Sequence, residues 1–134
     1  MKATFTLPFP PSMNTYWRNF RGRMVLSPKG RQYKVDVHAA CLEQKIPKFG
    51  GSMIRFRMEI TPRDNRKFDI DNRIKGVFDA LQAAGIMEDD WQVVQLYVAR
   101  LDEVEKPGKV VITLETLDEP SHEHDMSRTP RGRD

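Results

Sequence analysis

Between Met53 and Thr61 apolar and polar side chains alternate without a break, with Ile54, Phe56, Met58 and Ile60 on one face and Arg55, Arg57 and Glu59 on the other. A period of two describes a strand with one face in the core and one in water, so this run commits the chain to a sheet that is covered on one side. The covering element is legible further on. Ile74, Val77, Phe78, Leu81 and Ala84 recur at i, i+3, i+4, i+7 and i+10, a helical stripe, and Gly85 supplies its stop. Lys75 and Asp79 lie off that stripe.

The flanking segments fill in the architecture. Thr4 to Leu7 reads as a short strand ended by Pro8, Pro10 and Pro11, which remove backbone donors. Ser27 is an N-cap with Pro28 at the first helical position, and a helix is expected from there to about Gln44. Tyr33, Val37, Ala40 and Cys41 form its core stripe, which makes Cys41 a small buried hydrophobe and leaves His38 facing solvent. Val93 to Leu101 is a mostly apolar strand, and Lys109 to Leu117 is another, with Lys106-Pro107-Gly108 as a hairpin loop between them. The predicted order β-α-β-α-β-β is an α/β (α+β) fold: one small domain over residues 1–117, with a mixed sheet and two main helices packed against it. Residues 118–134 are polar and aperiodic and are expected to be a mobile tail.

At 134 residues the chain supports one core of ordinary size. No run approaches the roughly 18 apolar residues of a membrane span. The N-terminus enters a strand pattern directly, without a secretory signal, and a cytoplasmic protein is expected. Cys41 is the sole cysteine, so neither an internal disulfide nor a cysteine-based zinc site is supported.

The net charge of +3 hides an asymmetry. Residues 1–67 carry 14 Lys+Arg against 4 Asp+Glu, whereas residues 68–117 carry 5 against 10. A basic half joined to an acidic half suits a polyanion gripped by one surface and processed at another. The basic half offers two contact segments. In the loop Ser12 to Arg23, arginines interleave with aromatics, and Asn14, Tyr16, Arg18, Arg21 and Arg23 are candidate nucleic-acid contacts; the competing reading is a lid whose Tyr16, Trp17 and Phe20 pack inward. The turn Pro62 to Lys67 adds Arg63, Arg66 and Lys67.

The acidic half opens with Phe68-Asp69-Ile70-Asp71-Asn72-Arg73-Ile74-Lys75. In an extended backbone Asp69 and Asp71 share a face while Ile70 turns to the core, and two hard oxygen donors on one face suit Mg²⁺. Lys75 follows Asp71 by one helical turn, within reach of a metal-held phosphate. Glu88-Asp89-Asp90 supplies a third carboxylate. The bland alternative is Asp71 as an N-cap with Asp71-Lys75-Asp79 as a surface ion-pair ladder, but this leaves Asp69 unexplained.

These residues also carry a resemblance. Leu7-Pro8-Phe9-Pro10-Pro11-Ser12-Met13-Asn14-Thr15-Tyr16, Arg21-Gly22-Arg23, Asp69-Ile70-Asp71-Asn72 with Lys75, Phe78-Asp79-Ala80-Leu81, Ala84-Gly85 and Asp89-Asp90 together resemble the RusA family of Holliday junction resolvases, collinearly over about residues 3–117. The resemblance implies a small homodimeric, Mg²⁺-dependent endonuclease, with Mn²⁺ as a substitute ion. Such an enzyme binds four-way junction DNA and nicks two opposed strands symmetrically in recombination and repair; members are often encoded by phages and prophages. It places the catalytic metal ligands on Asp69, Asp71 and Asp90 and the essential lysine on Lys75. Asp90 is preferred to Asp89 on the family match alone. Phe68 and Arg73 depart from the pattern, standing where many members have an arginine or proline and an apolar residue. Paired nicking by a chain of this size calls for a two-fold dimer. The strand Val93 to Leu101 is a candidate contributor to its interface, although burial inside the sheet is the favoured account of its apolarity. The reading from another class is a non-catalytic branched-DNA-binding protein whose acidic cluster only buttresses helices.

Overall fold

The structure, a computed structural model, describes residues 1–117; the expected tail over 118–134 lies outside the described residues. In chain order the elements are β1 (Lys2–Pro8), a single-turn α1 (Met13–Tyr16), β2 (Trp17–Phe20), β3 (Arg23–Leu26), α2 (Pro28–Glu43), β4 (Ile54–Thr61), α3 (Ile74–Ala83), β5 (Val93–Arg100) and β6 (Lys109–Thr116). Short 3-10 turns over Ile70–Arg73 and Asp90–Gln92 lead into α3 and β5. A mixed α/β fold with two main helices is what the periodicities predict, and it is what forms.

The sheet order is β1-β6-β4-β5, with β4 antiparallel to β6 and parallel to β5. Ile54, Phe56, Met58 and Ile60 are all fully buried, as the alternation requires, alongside Val110, Ile112 and Leu114 of β6. Val77, Phe78, Ala80 and Leu81 of α3 and Tyr33, Val37 and Cys41 of α2 pack into the same core, with Phe5 and Leu7 of β1 and Phe49, Ile86 and Met87 of the connections. Phe56 meets Phe78 edge-on at 4.8 Å between centroids, joining sheet to helix. The opposite face is wet: Arg55 bonds both Gln95 and Glu115, and Arg57 lies 4.1 Å over the Tyr97 ring.

Helix ends follow their caps. Ser27 accepts from Gly30 N at 3.0 Å with Pro28 in the first turn of α2, and Gly85 adopts φ 79° after α3. His38 is exposed, as its position off the stripe predicts.

Three expectations fail. The segment 12–23 is a turn of helix and a β-hairpin rather than a loop: Trp17 to Phe20 pairs with Arg23 to Leu26, and Arg21 and Gly22 both take positive φ at the tip. That turn matches the strand twist, but Arg-Gly is a weaker signal for it than Asn-Gly. The connection through Lys106-Pro107-Gly108 is not a hairpin, because β5 and β6 are separated by β4, which takes its hydrogen bonds from both. Finally, β5 is an edge strand. Its apolarity does not come from burial, for Val94 and Leu96 are 52% and 48% exposed.

The Phe56–Phe78 contact fixes how α3 sits on the sheet, so Phe56→Ala should lower unfolding stability by about 3–5 kcal/mol. Urea denaturation should show the midpoint falling with an unchanged slope.

Candidate active site

The site grows out of the crossover between β4 and β5. Beyond Pro62 the chain turns on Asp64, whose carboxylate accepts from the backbone and guanidinium of Arg66, at 3.0 and 2.8 Å. The Arg66 guanidinium beside it holds the Asp64 carboxyl below its ordinary range. Phe68 packs edge-on against Phe9, 5.7 Å away, and Asp69 follows in extended conformation at the head of the 3-10 turn.

The turn corrects the extended geometry expected for this stretch. Only Asp69 is extended; Asp71 lies within the 3-10 turn, and Asn72 N donates to Asp69 O at 3.1 Å. Asp69 and Asp71 still line one hollow, together with Phe68, Ile70 and Arg100. Both are exposed, and among the described residues neither makes a side-chain hydrogen bond or a salt bridge. Asp69 stands at the N-cap position without capping, so the bland account covers neither residue.

Lys75, in the first turn of α3, forms no salt bridge with Asp71. Its ammonium bridges Asp79 at 3.1 Å and Asp90 at 2.5 Å. The Asp90 hydrogen bond, reinforced by Asp79 against a smaller desolvation penalty, holds the lysine above its ordinary pKa. The expected ladder therefore exists from Lys75 to Asp79 but does not extend back to Asp71.

The structure also separates Asp89 from Asp90. Asp89 caps the second 3-10 turn, accepting from Trp91 N at 3.0 Å, in a capping box completed by Gln92. Buried Gln92 ties this loop down by donating to the carbonyls of Gly50 and Ser52 and accepting from the amides of Glu88 and Asp89. Asp90 is thereby aimed at Lys75. Its Oδ2 takes the ammonium, while Oδ1 is buried without a hydrogen-bond partner.

No three Asp, Glu, His or Cys side chains among the described residues are grouped closely enough to hold a metal ion. The donor chemistry nonetheless fits Mg²⁺: two unengaged carboxylates, and a third with one orphaned oxygen, are hard ligands of the kind that ion takes.

Comparison with known proteins gives the family. The family model described as Endodeoxyribonuclease RusA matches residues 8–115. The chain is 40% identical to the crossover junction endodeoxyribonuclease of Enterobacteria phage HK97 over 72% of its own length and 80% of that protein. It is 38% identical to the crossover junction endodeoxyribonuclease of Escherichia coli strain K12, over 83% of this chain and 92% of that one, and 39% identical to the enzyme of Enterobacteria phage 82, over 81% and 90%. The chain belongs to the RusA family. The motif resemblance read from the sequence is thus confirmed across most of the chain.

In this family member most candidate DNA contacts are on the surface: Asn14, Arg18, Arg21, Arg23, Arg63, Arg66 and Lys67 are all exposed. Arg18 and Arg21 flank the ring of Phe20, itself 48% exposed at the hairpin tip. Tyr16 is the correction. It is fully buried, its ring over Gly76, where a Cβ would come within 3.3 Å, so it braces α1 against α3 and offers DNA no surface. Its hydroxyl has no partner; burial, with Asp79 adding and Lys75 opposing, pushes its pKa up to about 12. Sequence reasoning missed Gln92 and Gly76, whose roles depend on partners far along the chain.

An unpartnered hydroxyl contributes little, so Tyr16→Phe should cost less than about 1 kcal/mol or stabilise the fold. Because the folded pKa lies above the ordinary 10, the benefit of the protonated phenol is full below pH 10 and fades as the pH climbs toward about 12. Alkaline unfolding followed by circular dichroism should therefore begin at higher pH in Tyr16→Phe than in the unaltered chain.

Proposed function

We propose that this chain is a Mg²⁺-dependent endodeoxyribonuclease that resolves four-way DNA junctions by paired nicks, acting as a homodimer in the cytoplasm. The observation that carries the reading is the pair Asp69 and Asp71, exposed, unneutralised and facing one hollow with Arg100, in a family named for endodeoxyribonuclease activity. Its relatives are named crossover junction endodeoxyribonucleases, which supports the four-way junction as substrate.

Asp69, Asp71 and Asp90 would hold the ion only on drawing closer together than they stand in this structure; when bound, the ion supplies Lewis-acid polarisation of a phosphodiester and an activated water. The chain's own residues do the rest. The exposed arginines of the β2–β3 hairpin and of the turn after β4 bind and orient the phosphate backbone. Lys75, held protonated by Asp79 and Asp90, carries a positive charge to the developing negative charge of the transition state. No helix of the described residues is long and apolar enough to cross a membrane.

The dimer finds support at β5. Among the described residues no strand pairs with its outer edge, and Val94, Leu96 and Tyr97 are about half exposed with Trp91 75% exposed at its entry. Such an edge is a template for a second strand, and a two-fold axis would pair it with its own copy.

Incubation of a mobile four-way junction with the protein, followed by a denaturing gel, tests the activity. Cleavage should require Mg²⁺ and be abolished by chelation. Asp69→Asn, Asp71→Asn and Asp90→Asn should each lower it by orders of magnitude while junction binding survives, and Lys75→Ala should impair turnover more than binding. Near-normal cutting by all three carboxylate variants would refute the site. Metal-independent binding with no nicking would favour the non-catalytic reading.

Light scattering at micromolar concentration should report about twice the 15.6 kDa chain mass, and Leu96→Glu should shift it toward the monomer. A monomeric unaltered chain that cuts both strands in one encounter would remove the symmetric mechanism.

A further inference from the structure

A basic cavity of about 170 Å³ adjoins the two carboxylates and shares only Arg73 with their 3-10 turn. Arg63, Arg66, Lys67 and Arg73 line it, against a single carboxylate, Asp64. Asp64 is already committed to Arg66 at 2.8 Å and to Arg63 at 4.0 Å.

Arg73 is the anomaly. Its residue is only 8% exposed, its Nη1 donates to Pro10 O at 2.7 Å, and its Nε is buried with no hydrogen-bond partner. Among the described residues no carboxylate forms a salt bridge with it. A guanidinium taken out of water with neither counter-ion nor full hydrogen bonding is costly, and arginine is rarely buried unless paired.

The surroundings hold it in place. The guanidinium carbon lies 4.9 Å from the Phe9 ring centroid and 5.1 Å from that of Phe68. Gly108, at φ 85°, leaves room for this packing, since a Cβ there would stand 2.8 Å from both the Phe9 ring and Arg63 Cβ. Two aromatic faces offset part of the burial of the charge but supply no acceptor. What the site lacks is an anion with hydrogen-bond-accepting oxygens, and the planar fork of arginine matches phosphate. A second hollow, of about 300 Å³, shares Lys67, Phe68 and Arg73 with the first and runs to Asp69 and Asn72.

We propose that the Arg73 cavity is a phosphate subsite that receives a backbone phosphate of the same DNA strand whose scissile phosphate lies at Asp69 and Asp71. Arg73 is the central donor, and Arg63 and Lys67 close over the anion from the exposed side. The placement on the cleaved strand rests on the endonuclease reading; the anion site itself does not.

Two measurements without cleavage test it. Inorganic phosphate, compared with sodium chloride at matched ionic strength, should raise the melting temperature of the full chain. Arg73→Met should abolish the gain, and Arg73→Lys should retain part of it. A melting temperature no higher in phosphate than in chloride overturns the proposal, and this arm needs only the unaltered protein, so it holds even if Arg73→Met fails to fold. A phosphate gain that survives in folded Arg73→Met overturns it equally.

In the Asp69→Asn background without metal, Arg73→Met should also flatten the dependence of log junction affinity on log salt by about 0.9, the share of one phosphate contact. An unchanged slope removes the DNA from the cavity. A chain that gives both expected results yet cuts no junction keeps its phosphate subsite and loses the endonuclease reading.

Discussion

The parallel pairing of β4 with β5 governs the rest of the molecule, because a parallel neighbour cannot be reached by a tight turn. The chain must leave β4 at Thr61, travel back over the sheet and re-enter at Val93, and α3 is the return path that also covers the core face. Asp69, Asp71, Lys75 and Asp90 all lie in that crossover, as do Arg63, Arg66, Lys67 and Arg73. The same segment therefore seals the core with Val77, Phe78, Ala80 and Leu81 and presents the polar groups at its two ends. Rigid packing of the one positions the other.

Unsatisfied polar atoms gather on this crossover. Among the described residues the buried side-chain atoms without partners are Tyr16 OH, Arg73 Nε, Gln82 Oε1 and Asp90 Oδ1. Three belong to the crossover, and the fourth belongs to a ring packed on Gly76 within it. A folded interior ordinarily pairs such atoms, so among the described residues the crossover is where this structure departs most from that rule. Capping shows the complementary behaviour. Asp89 and Gln92 use their polar atoms internally, and this leaves Asp90 to face Lys75.

Two of the β elements carry exposed apolar groups that the core does not explain. The β2–β3 hairpin extends Phe20 and Met24 into solvent among arginines, and β5 exposes Val94, Leu96 and Tyr97 along a free sheet edge. The first suits stacking beside phosphate contacts, the second strand addition by another copy.

Local pattern in the sequence determined β4, α2 with its Ser27-Pro28 start, α3 with its Gly85 stop, and the motif that identifies the family, because each is written in neighbours a few residues apart. Tertiary structure decided what depends on distant partners. Apolarity cannot distinguish a central strand from an edge, so the exposure of β5 followed only from β4 being paired with β6 on its other side. Interleaved arginines and aromatics did not sort Tyr16 into the core and Phe20 into solvent until Gly76 offered a surface for one ring alone. Alternation placed Asp69 and Asp71 on one side, but the 3-10 turn set their true relation, and Lys75 chose Asp79 and Asp90 because those carboxylates, and not Asp71, lie within reach of its ammonium in the folded chain.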